Sequence, residues 1–330
     1  MTSESPALIS LSPFLFTMRI LLLFCDGMGL GANDAAVSSV GSANHETSNP
    51  FFHAPMKTLR ALFGKIPTRD DGILHGENAI LVPTDARLGV AGVPQSGTGQ
   101  TTIFTGINAP AAIGEHLGPY PNEALRAILK QHSIFKQLDA LGFSTAFGNA
   151  YPPFFFERLG RGKARRTATL QAAMAGDVRV RDVNDLARGD AVSGLSMNNQ
   201  FWVEHGASVP LITPHIAGKN LMRLARQFDF TAFEYAPTDM VGHKDDRDDI
   251  LAVLNEVDEF WGGIVSEMDL QNDLVIITSD HGNIEDWTVK GHTLNPVPTI
   301  LIGARRAEAA EKIRALTDIA PTIVAMLSHP

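Results

Sequence analysis

Acidic, imidazole and hydroxyl side chains recur just after apolar runs of this 330-residue sequence, and their types suit metal chemistry. Carboxylates and imidazoles together favour Zn²⁺ or Mn²⁺ over Ca²⁺, which takes only oxygen ligands. Two such ions lower the pKa of a hydroxyl and hold both the attacking and the leaving oxygen of a phosphoryl group. We therefore expect a two-metal site with a serine nucleophile, built from Asp26, Ser96, Asp239, His243, Asp280, His281 and His292.

Residues 275–298 contribute three of these candidates and read VIITSDHGNIEDWTVKGHTLNPVP. The apolar, β-branched start, bounded by turn residues, predicts a buried parallel strand. In open α/β sheets, ligands bind beyond the carboxyl ends of such strands. Asp280 and His281 fall at that edge and His292 follows on the next loop, so this stretch predicts one part of the metal site.

Two earlier apolar runs end in the same way. Residues 19–25 (RILLLFC) lead into DGMGLG, where Asp26 precedes the glycines. A dinucleotide loop is the alternative here, but that fingerprint needs G-x-G-x-x-G at the start of a helix. Residues 230–236 (FTAFEYA) lead to Asp239 and His243, and their four-residue step lets a carboxylate and an imidazole converge on one ion.

Ser96 lies in the glycine- and threonine-rich segment PQSGTGQTTIFTG, which predicts a tight turn entering a helix. Free amides and the helix dipole at such an N-terminus favour an anion and lower the cost of an alkoxide. Ser96 is therefore the nucleophile candidate. The alternative is that Ser96 only caps the helix.

The one concentrated group of positive charge lies between residues 158 and 166. Such a run is usually a solvated face. The alternative is a small lid whose arginines hold an anionic substrate, with Arg158 and Arg166 as the substrate-binding candidates.

Strands that alternate with helices, with acids at strand tips, predict an α/β fold with a mostly parallel sheet and helices on both faces. We expect a discontinuous core over residues 18–150 and 211–330, a small lid over 151–210 and an N-terminal extension over 1–17. A short strand is expected at residues 88–93.

Composition limits the function classes. Lys and Arg number 27 against 36 Asp and Glu, a net charge of −9, so general nucleic-acid binding is not expected. The single cysteine, Cys25, excludes an intramolecular disulfide and a thiolate zinc cluster. No run of about 18 apolar residues and no convincing secretory signal is present, so we expect a cytoplasmic protein outside the membrane.

The motifs resemble the alkaline phosphatase-like superfamily, and most closely its cofactor-independent phosphoglycerate mutase and phosphopentomutase branch. They are DGMG, the Ser96 segment, TDMVGH, SDHGN and GHTLNPVP, in that order along the chain. The resemblance implies that one metal is held by Asp239, His243 and His292, and the other by Asp26, Asp280, His281 and Ser96. Ser96 would also accept the phosphoryl group and pass it to water in a hydrolase, or back to the substrate in a mutase.

Two departures from that family bear on the reaction. The mutases carry a large domain after the nucleophile helix, whereas only residues 107–132 separate Gly106 from the next expected helix. In addition, Gln100 stands where those mutases have a histidine four residues after the serine. A mutase must shield its intermediate from water, so with a short lid we expect hydrolysis of a small anionic phosphate monoester. A phosphomutase and a non-catalytic metal-binding protein are the alternatives.

Overall fold

A computed structural model describes residues 18–33, 47–244 and 246–329. The expected N-terminal extension, residues 1–17, lies outside the described residues. Among the described helices, none combines the length and the apolar composition that a membrane span requires.

One mixed sheet forms the centre of the described chain, and its strands lie in the order β2-β3-β7-β6-β1-β5-β4. Their bounds are β1 (Arg19–Cys25), β2 (Leu74–His75), β3 (Ala79–Thr84), β4 (Thr145–Phe147), β5 (Phe230–Tyr235), β6 (Asp273–Thr278) and β7 (Val297–Gly303). β6, β1, β5 and β4 are parallel neighbours, whereas β7, β3 and β2 each join by antiparallel pairing. Five of these seven strands therefore point the same way, which confirms the mostly parallel sheet.

β1 is the central strand, and its apolar residues explain why. Ile20, Leu22 and Phe24 belong to one buried cluster, whereas Leu21 and Leu23 belong to a second cluster on the opposite face. Successive side chains of a strand point to opposite faces, so a strand covered on both sides is apolar throughout.

Helices cover both faces of the sheet, as the sequence predicts. The first cluster receives side chains from α2, α4 to α7, α13 and α14, the second from α1 and α10 to α12, and a small third one from α8 and α9. Their bounds are α1 (Lys57–Phe63), α2 (Ser96–Thr105), α3 (Ala109–Ile113), α4 (Glu123–His132), α5 (Ile134–Ala140), α6 (Pro153–Gly160), α7 (Ala168–Ala175), α8 (Val183–Arg188), α9 (Gln200–Glu204), α10 (Pro214–Ala225), α11 (Pro237–Gly242), α12 (Arg247–Glu267), α13 (Arg306–Lys312) and α14 (Ile319–Ser328).

The expected strand at residues 88–93 is wrong. Leu88, Gly89 and Gly92 all have positive φ, which turns the chain instead of extending it. The strand of this region is β3, which pairs with β7 and places Pro83 opposite Pro298.

The segment that we expect to be a lid, residues 151–210, contains α6 to α9. Ala168 and Leu170 of α7 lie in the first apolar cluster beside α2. Leu186 of α8 and Trp202 of α9 instead form the third cluster with Ala150. Phe155 of α6 also belongs to the first cluster, and Val192 and Met197 belong to the second. A lid over residues 151–210 stays a prediction, with parts of the segment sharing the core.

Candidate metal centre

The carboxyl ends of β5, β1 and β6 meet at one edge of the sheet, and the acidic candidates lie there. β1 pairs in parallel with both neighbours, so the three strands end side by side. Asp26 directly follows β1, and its backbone N–H donates to the Tyr235 carbonyl at the end of β5. Asp280 lies two residues beyond β6, and Asp239 lies in α11, which follows β5. The topology thus brings together residues that are far apart in the chain.

Asp26, Asp280 and His281 form the first group, which we call the buried trio. One ligand atom from each lies within 4.8 Å of the others. His281 Nε2 is 3.4 Å from Asp26 Oδ1 and 3.6 Å from Asp280 Oδ2. Asp280 and His281 are fully buried, so the three groups face one another away from solvent.

Ser96 is the first residue of α2 and lies beside the buried trio. Its Oγ is 3.0 Å from His281 Nε2. The cap position of α2 is Gln95, whose side chain makes no capping hydrogen bond. The hydroxyl of Ser96 therefore faces the trio and does not cap the helix, contrary to the alternative drawn from the sequence.

Asp239, His243 and His292 form the second group, the outer trio, whose ligand atoms also lie within 4.8 Å of one another. Asp239 Oδ2 is 3.4 Å from His243 Nε2, and Asp239 Oδ1 is 3.5 Å from His292 Nε2. His292 Nδ1 is 2.8 Å from the Pro94 carbonyl, which orients its ring. The His243 side chain is 47% exposed, so this trio is open to solvent.

The two trios are in contact. The rings of His281 and His292 stack with their centroids 3.6 Å apart and an interplanar angle of 16°. Gly27, next to Asp26, has φ +66°, and a Cβ there would lie 2.6 Å from Asp239 Oδ1. Only glycine allows this approach, so the DGMG loop keeps the two groups in one site.

The electrostatics of the buried trio fit a bound cation. Burial, the neighbouring Asp280 and then Asp239 and Glu234 raise the pKa of Asp26 well above its usual range. Asp26 Oδ1 is also buried without a hydrogen-bond partner among the described residues. A buried carboxylate oxygen without a hydrogen bond is costly unless a positive charge compensates it. A divalent cation at this position would hold both carboxylates ionised, so the residues present fit a metal.

The pKa of Asp239 in the outer trio is shifted downwards, opposite to that of Asp26. Burial alone would raise its pKa, but the hydrogen bond to His292, the charge of His281 and the hydrogen bond from Asn283 outweigh burial. Together they lower the pKa of Asp239 to about 2. Asn283 Nδ2 donates to Asp239 Oδ1 at 2.7 Å. Asp239 is thus an anion across the neutral pH range, ready to bind a cation.

Gln100 lies on α2, four residues after Ser96, and contacts both carboxylates of the buried trio. Its Nε2 donates to Asp26 Oδ2 at 3.4 Å and to Asp280 Oδ2 at 3.5 Å. Gly99 makes this proximity feasible, because a Cβ there would lie 2.7 Å from the Asp280 Cβ. Gln100, which stands where the resembled mutases have a histidine, therefore bridges two expected metal ligands.

Glu285 is a fully buried carboxylate that sequence reasoning missed. It accepts hydrogen bonds from the backbone N–H groups of Gly29 and Asn283 and from the side chains of Thr293 and Asn295. It thereby joins the loops after β1 and β6 to the segment that follows His292. Its place inside SDHGNIED, directly after the predicted ligands, was the available signal.

Glu234 on β5 was also missed. It is 5% exposed, its Oε2 accepts a hydrogen bond from Thr167 at 2.9 Å, and its Oε1 has no partner among the described residues. Burial raises the pKa of Glu234 to about 7, with Asp280 adding to the effect and Thr167 opposing it. A lone acid inside the apolar strand FTAFEY was the signal in the sequence.

The two arginine candidates are not among the residues that contact the trios. Arg158 is exposed on α6, and Arg166 lines a cleft beside α4 and α7. Their neighbour Arg165 lies over the ring of Tyr120 at 5.8 Å from its centroid. The Tyr120 carbonyl is 3.2 Å from the position of a Cβ on Gly97, next to Ser96. Arg165 belongs to the predicted basic run but is not one of its two candidates, and it is the arginine of that run that lies over the Tyr120 ring near the start of α2.

A protein of known structure has a similar fold. The PH0037 protein from Pyrococcus horikoshii superposes with a TM-score of 0.57 at 14% identity, covering 95% of this chain and 98% of that one. At this identity the similarity concerns the fold alone, and it supports the α/β architecture.

Sequence comparisons extend the similarity to part of the site. The chain is 34% identical over 110 residues to a 2,3-bisphosphoglycerate-independent phosphoglycerate mutase from Desulforudis audaxviator (32% of this chain, 22% of that protein). It is 38% identical over 109 residues to the enzyme of that name from Acetivibrio thermocellus (31% and 21%). The matches thus span about a fifth of the length of these curated relatives. Residues 170–330 match the family model of the Metalloenzyme superfamily. This match and the similarity to the phosphoglycerate mutases confirm the resemblance to the metalloenzyme branch that the motifs predict.

Proposed function

We propose that the chain is a metal-dependent phosphoryl-transfer enzyme that hydrolyses a small phosphate monoester through Ser96. The observation that carries this proposal is the position of the Ser96 hydroxyl, 3.0 Å from His281 Nε2 at the start of a helix and beside the buried trio. A serine beside a cation site is activated for attack without a dedicated base.

The proposal assigns one divalent ion, Zn²⁺ or Mn²⁺, to each trio, with Ser96 beside the ion of the buried trio. Mixed carboxylate and imidazole donors suit both metals. When bound, the two ions would supply positive charge to the phosphoryl oxygens and favour the ionised form of the serine hydroxyl.

The chain itself presents the nucleophile and a site for the anion. The side chain of Gln95 makes no capping bond. Because the Thr98 N–H already donates to the Leu117 carbonyl at 2.9 Å, the amides of Ser96 and Gly97 are the proposed donors to phosphate oxygens. Ser96 would attack phosphorus, the alcohol would leave with a proton, and water would then release phosphate from the phosphoserine. Water is the proposed acceptor because the outer trio is solvent-accessible, with His243 47% exposed.

Arg158 and Arg166 remain proposed contacts of the substrate phosphate through movement of the lid. Arg165 is the third proposed contact, because its guanidinium lies over the ring of Tyr120, whose backbone approaches α2 at Gly97. The planar guanidinium of arginine matches the oxygens of a phosphate.

A phosphomutase is the second candidate function, favoured by the similarity to the phosphoglycerate mutases. In that case the phosphoserine would return its phosphoryl group to another hydroxyl of the same substrate. The outer trio would then have to be shielded from water during turnover.

Phosphorus NMR separates the two candidates. The protein is incubated with Mn²⁺ or Zn²⁺ and a panel of phosphoglycerates, pentose phosphates and simple monoesters. Growth of inorganic phosphate that chelation suppresses supports the hydrolase, whereas a migrating ester signal without free phosphate supports the mutase. No change with metals demonstrably bound would favour the non-catalytic metal-binding alternative for this panel.

The nucleophile is tested by Ser96→Ala, which should abolish turnover while both metals stay bound. The matched control is Ser266→Ala, because the Ser266 hydroxyl donates to the Gly263 carbonyl within α12. Turnover retained in Ser96→Ala would refute the assignment.

A further inference from the structure

A cleft of about 500 Å³ lies between α4, α5 and α7 and concentrates positive charge in an acidic protein. Four of its lining side chains are basic: Arg126, Lys130, Lys136 and Arg166. The whole chain has a net charge of −9. Clustered like charges raise the local concentration of oppositely charged ligands, so the cleft attracts anions despite the overall charge.

No carboxylate of the described residues forms an ion pair with these four side chains. Arg126 Nε donates to the Pro121 carbonyl at 3.0 Å, and Lys136 Nζ donates to the Lys130 carbonyl at 3.4 Å. Asp177, which is exposed, is the acidic residue in the lining. Backbone carbonyls orient the cations without cancelling their charge, so the positive field remains available to a ligand.

The core holds the walls of this cleft in place. Leu129, between the basic residues of α4, is 1% exposed and belongs to the first apolar cluster. Gln171 of α7 donates from Nε2 to the Arg166 carbonyl at 3.0 Å. Thr167 caps α7 by accepting from the Leu170 N–H. These contacts hold the backbone carbonyl of Arg166 and leave its guanidinium free to move, and the buried Leu129 gives the cleft an apolar wall.

We propose that this cleft binds a small phosphate compound with at least two negative charges, separately from the metal centre. Its volume lies within the range of small-ligand sites. Arginine guanidinium groups match phosphate oxygens in pairs, and lysines add point charges. None of the lining residues belongs to either trio, so binding does not require metals.

The test uses full-length protein stripped of metals and dialysed free of chelator. Titration calorimetry with inorganic pyrophosphate should show saturable binding. In the double variant Arg126→Gln/Lys130→Gln the affinity should fall roughly tenfold, because two exposed charge contacts contribute about 1.4 kcal/mol together. Arg158 and Arg166 are untouched in this variant, so its result is independent of the proposed reaction.

The matched control is Lys57→Gln/Arg60→Gln on α1. Arg60 is exposed and donates from Nε to the carbonyl five residues earlier, Pro55, as Arg126 does to Pro121. The control should bind pyrophosphate like the wild type. Equal weakening in both double variants, or no saturable binding to the metal-free wild type, would overturn the proposal.

A second titration with glycerol phosphate distinguishes the sources of the ligand. Competition with pyrophosphate at similar affinity supports recognition of an organic phosphate in the cleft. Binding of pyrophosphate alone supports an inorganic polyphosphate. Tight binding of an RNA oligonucleotide with no binding of either phosphate would contradict a small-molecule site.

Discussion

Replacing Glu234 by glutamine should make the metal-free protein less sensitive to pH. Glu234 is 5% exposed, and burial raises its pKa from 4.5 to about 7. A carboxyl whose pKa is raised in the folded state contributes full stability below pH 4.5. It loses that contribution as the pH rises to about 7, because the unfolded chain releases its proton first. Stability therefore falls with rising pH.

The size of the effect follows from the same values. The interval from 4.5 to about 7, at about 1.4 kcal/mol per pH unit, amounts to about 3 kcal/mol. Most of this loss, roughly 2 to 3 kcal/mol, falls between pH 5 and pH 8. The pKa of Asp26 is raised as well and acts with the same sign. The difference between wild type and Glu234→Gln therefore reports the titration of Glu234 together with its effect on the pKa of Asp26.

Urea unfolding of the metal-stripped proteins at pH 5, 6, 7 and 8 measures this difference. Glu234→Gln should lose less stability over that interval than the wild type. Glu311→Gln, the same substitution at an exposed position of α13, serves as the control and should follow the wild type. If the unfolding free energies of Glu234→Gln and of the wild type fell equally with rising pH, Glu234 would not be a titrating buried group.

Three further perturbations test the site. Gly99→Ala should reduce turnover about a hundredfold, because the added Cβ would lie 2.7 Å from the Asp280 Cβ. The control is Gly160→Ala, which has open space around it, and steady-state kinetics should show no such loss for it. Glu285→Ala should lower the free energy of unfolding, measured in urea, by roughly 4 kcal/mol. Four donors lose their acceptor, at about 1 kcal/mol or more each. A loss below about 1 kcal/mol would contradict the role of Glu285 in joining the loops of the site. Zn²⁺ or Mn²⁺ at a hundred times its Kd should raise the unfolding free energy by about 2.7 kcal/mol, and thermal denaturation of Asp26→Asn should show a clearly smaller gain if Asp26 binds the metal.

Glu285 and Glu234 are two buried acids of the site that the sequence motifs did not identify. Both are acids in segments that the sequence predicts correctly, one in the loop after β6 and one in β5. Glu285 accepts from Asn283, two residues earlier, but the near neighbours of neither acid are sufficient to reveal its role. Glu285 accepts from Gly29, 256 residues away, and Glu234 is surrounded by groups from β1, β6 and the segment before α7. Burial and long-range partners, which no local pattern records, determine what these carboxylates do.

The expected strand at residues 88–93 failed for a related reason. Its composition suits a strand, but the backbone there adopts positive φ at three positions. β3 was missed because its partner, β7, lies more than two hundred residues later in the chain. Strand propensity depends on the neighbouring strand.

The sequence by itself determined the α/β class, the mostly parallel sheet and the set of acids and histidines at its edge. It could do so because apolar runs specify buried strands, and parallel neighbours must end at the same edge. Only the tertiary structure decided that Ser96 faces His281, that Gln100 bridges Asp26 and Asp280, and that Arg166 lies in a basic cleft with α4 and α5. Side-chain direction and burial arise from packing between segments that are remote in the chain, and these decide which of the available groups can act together.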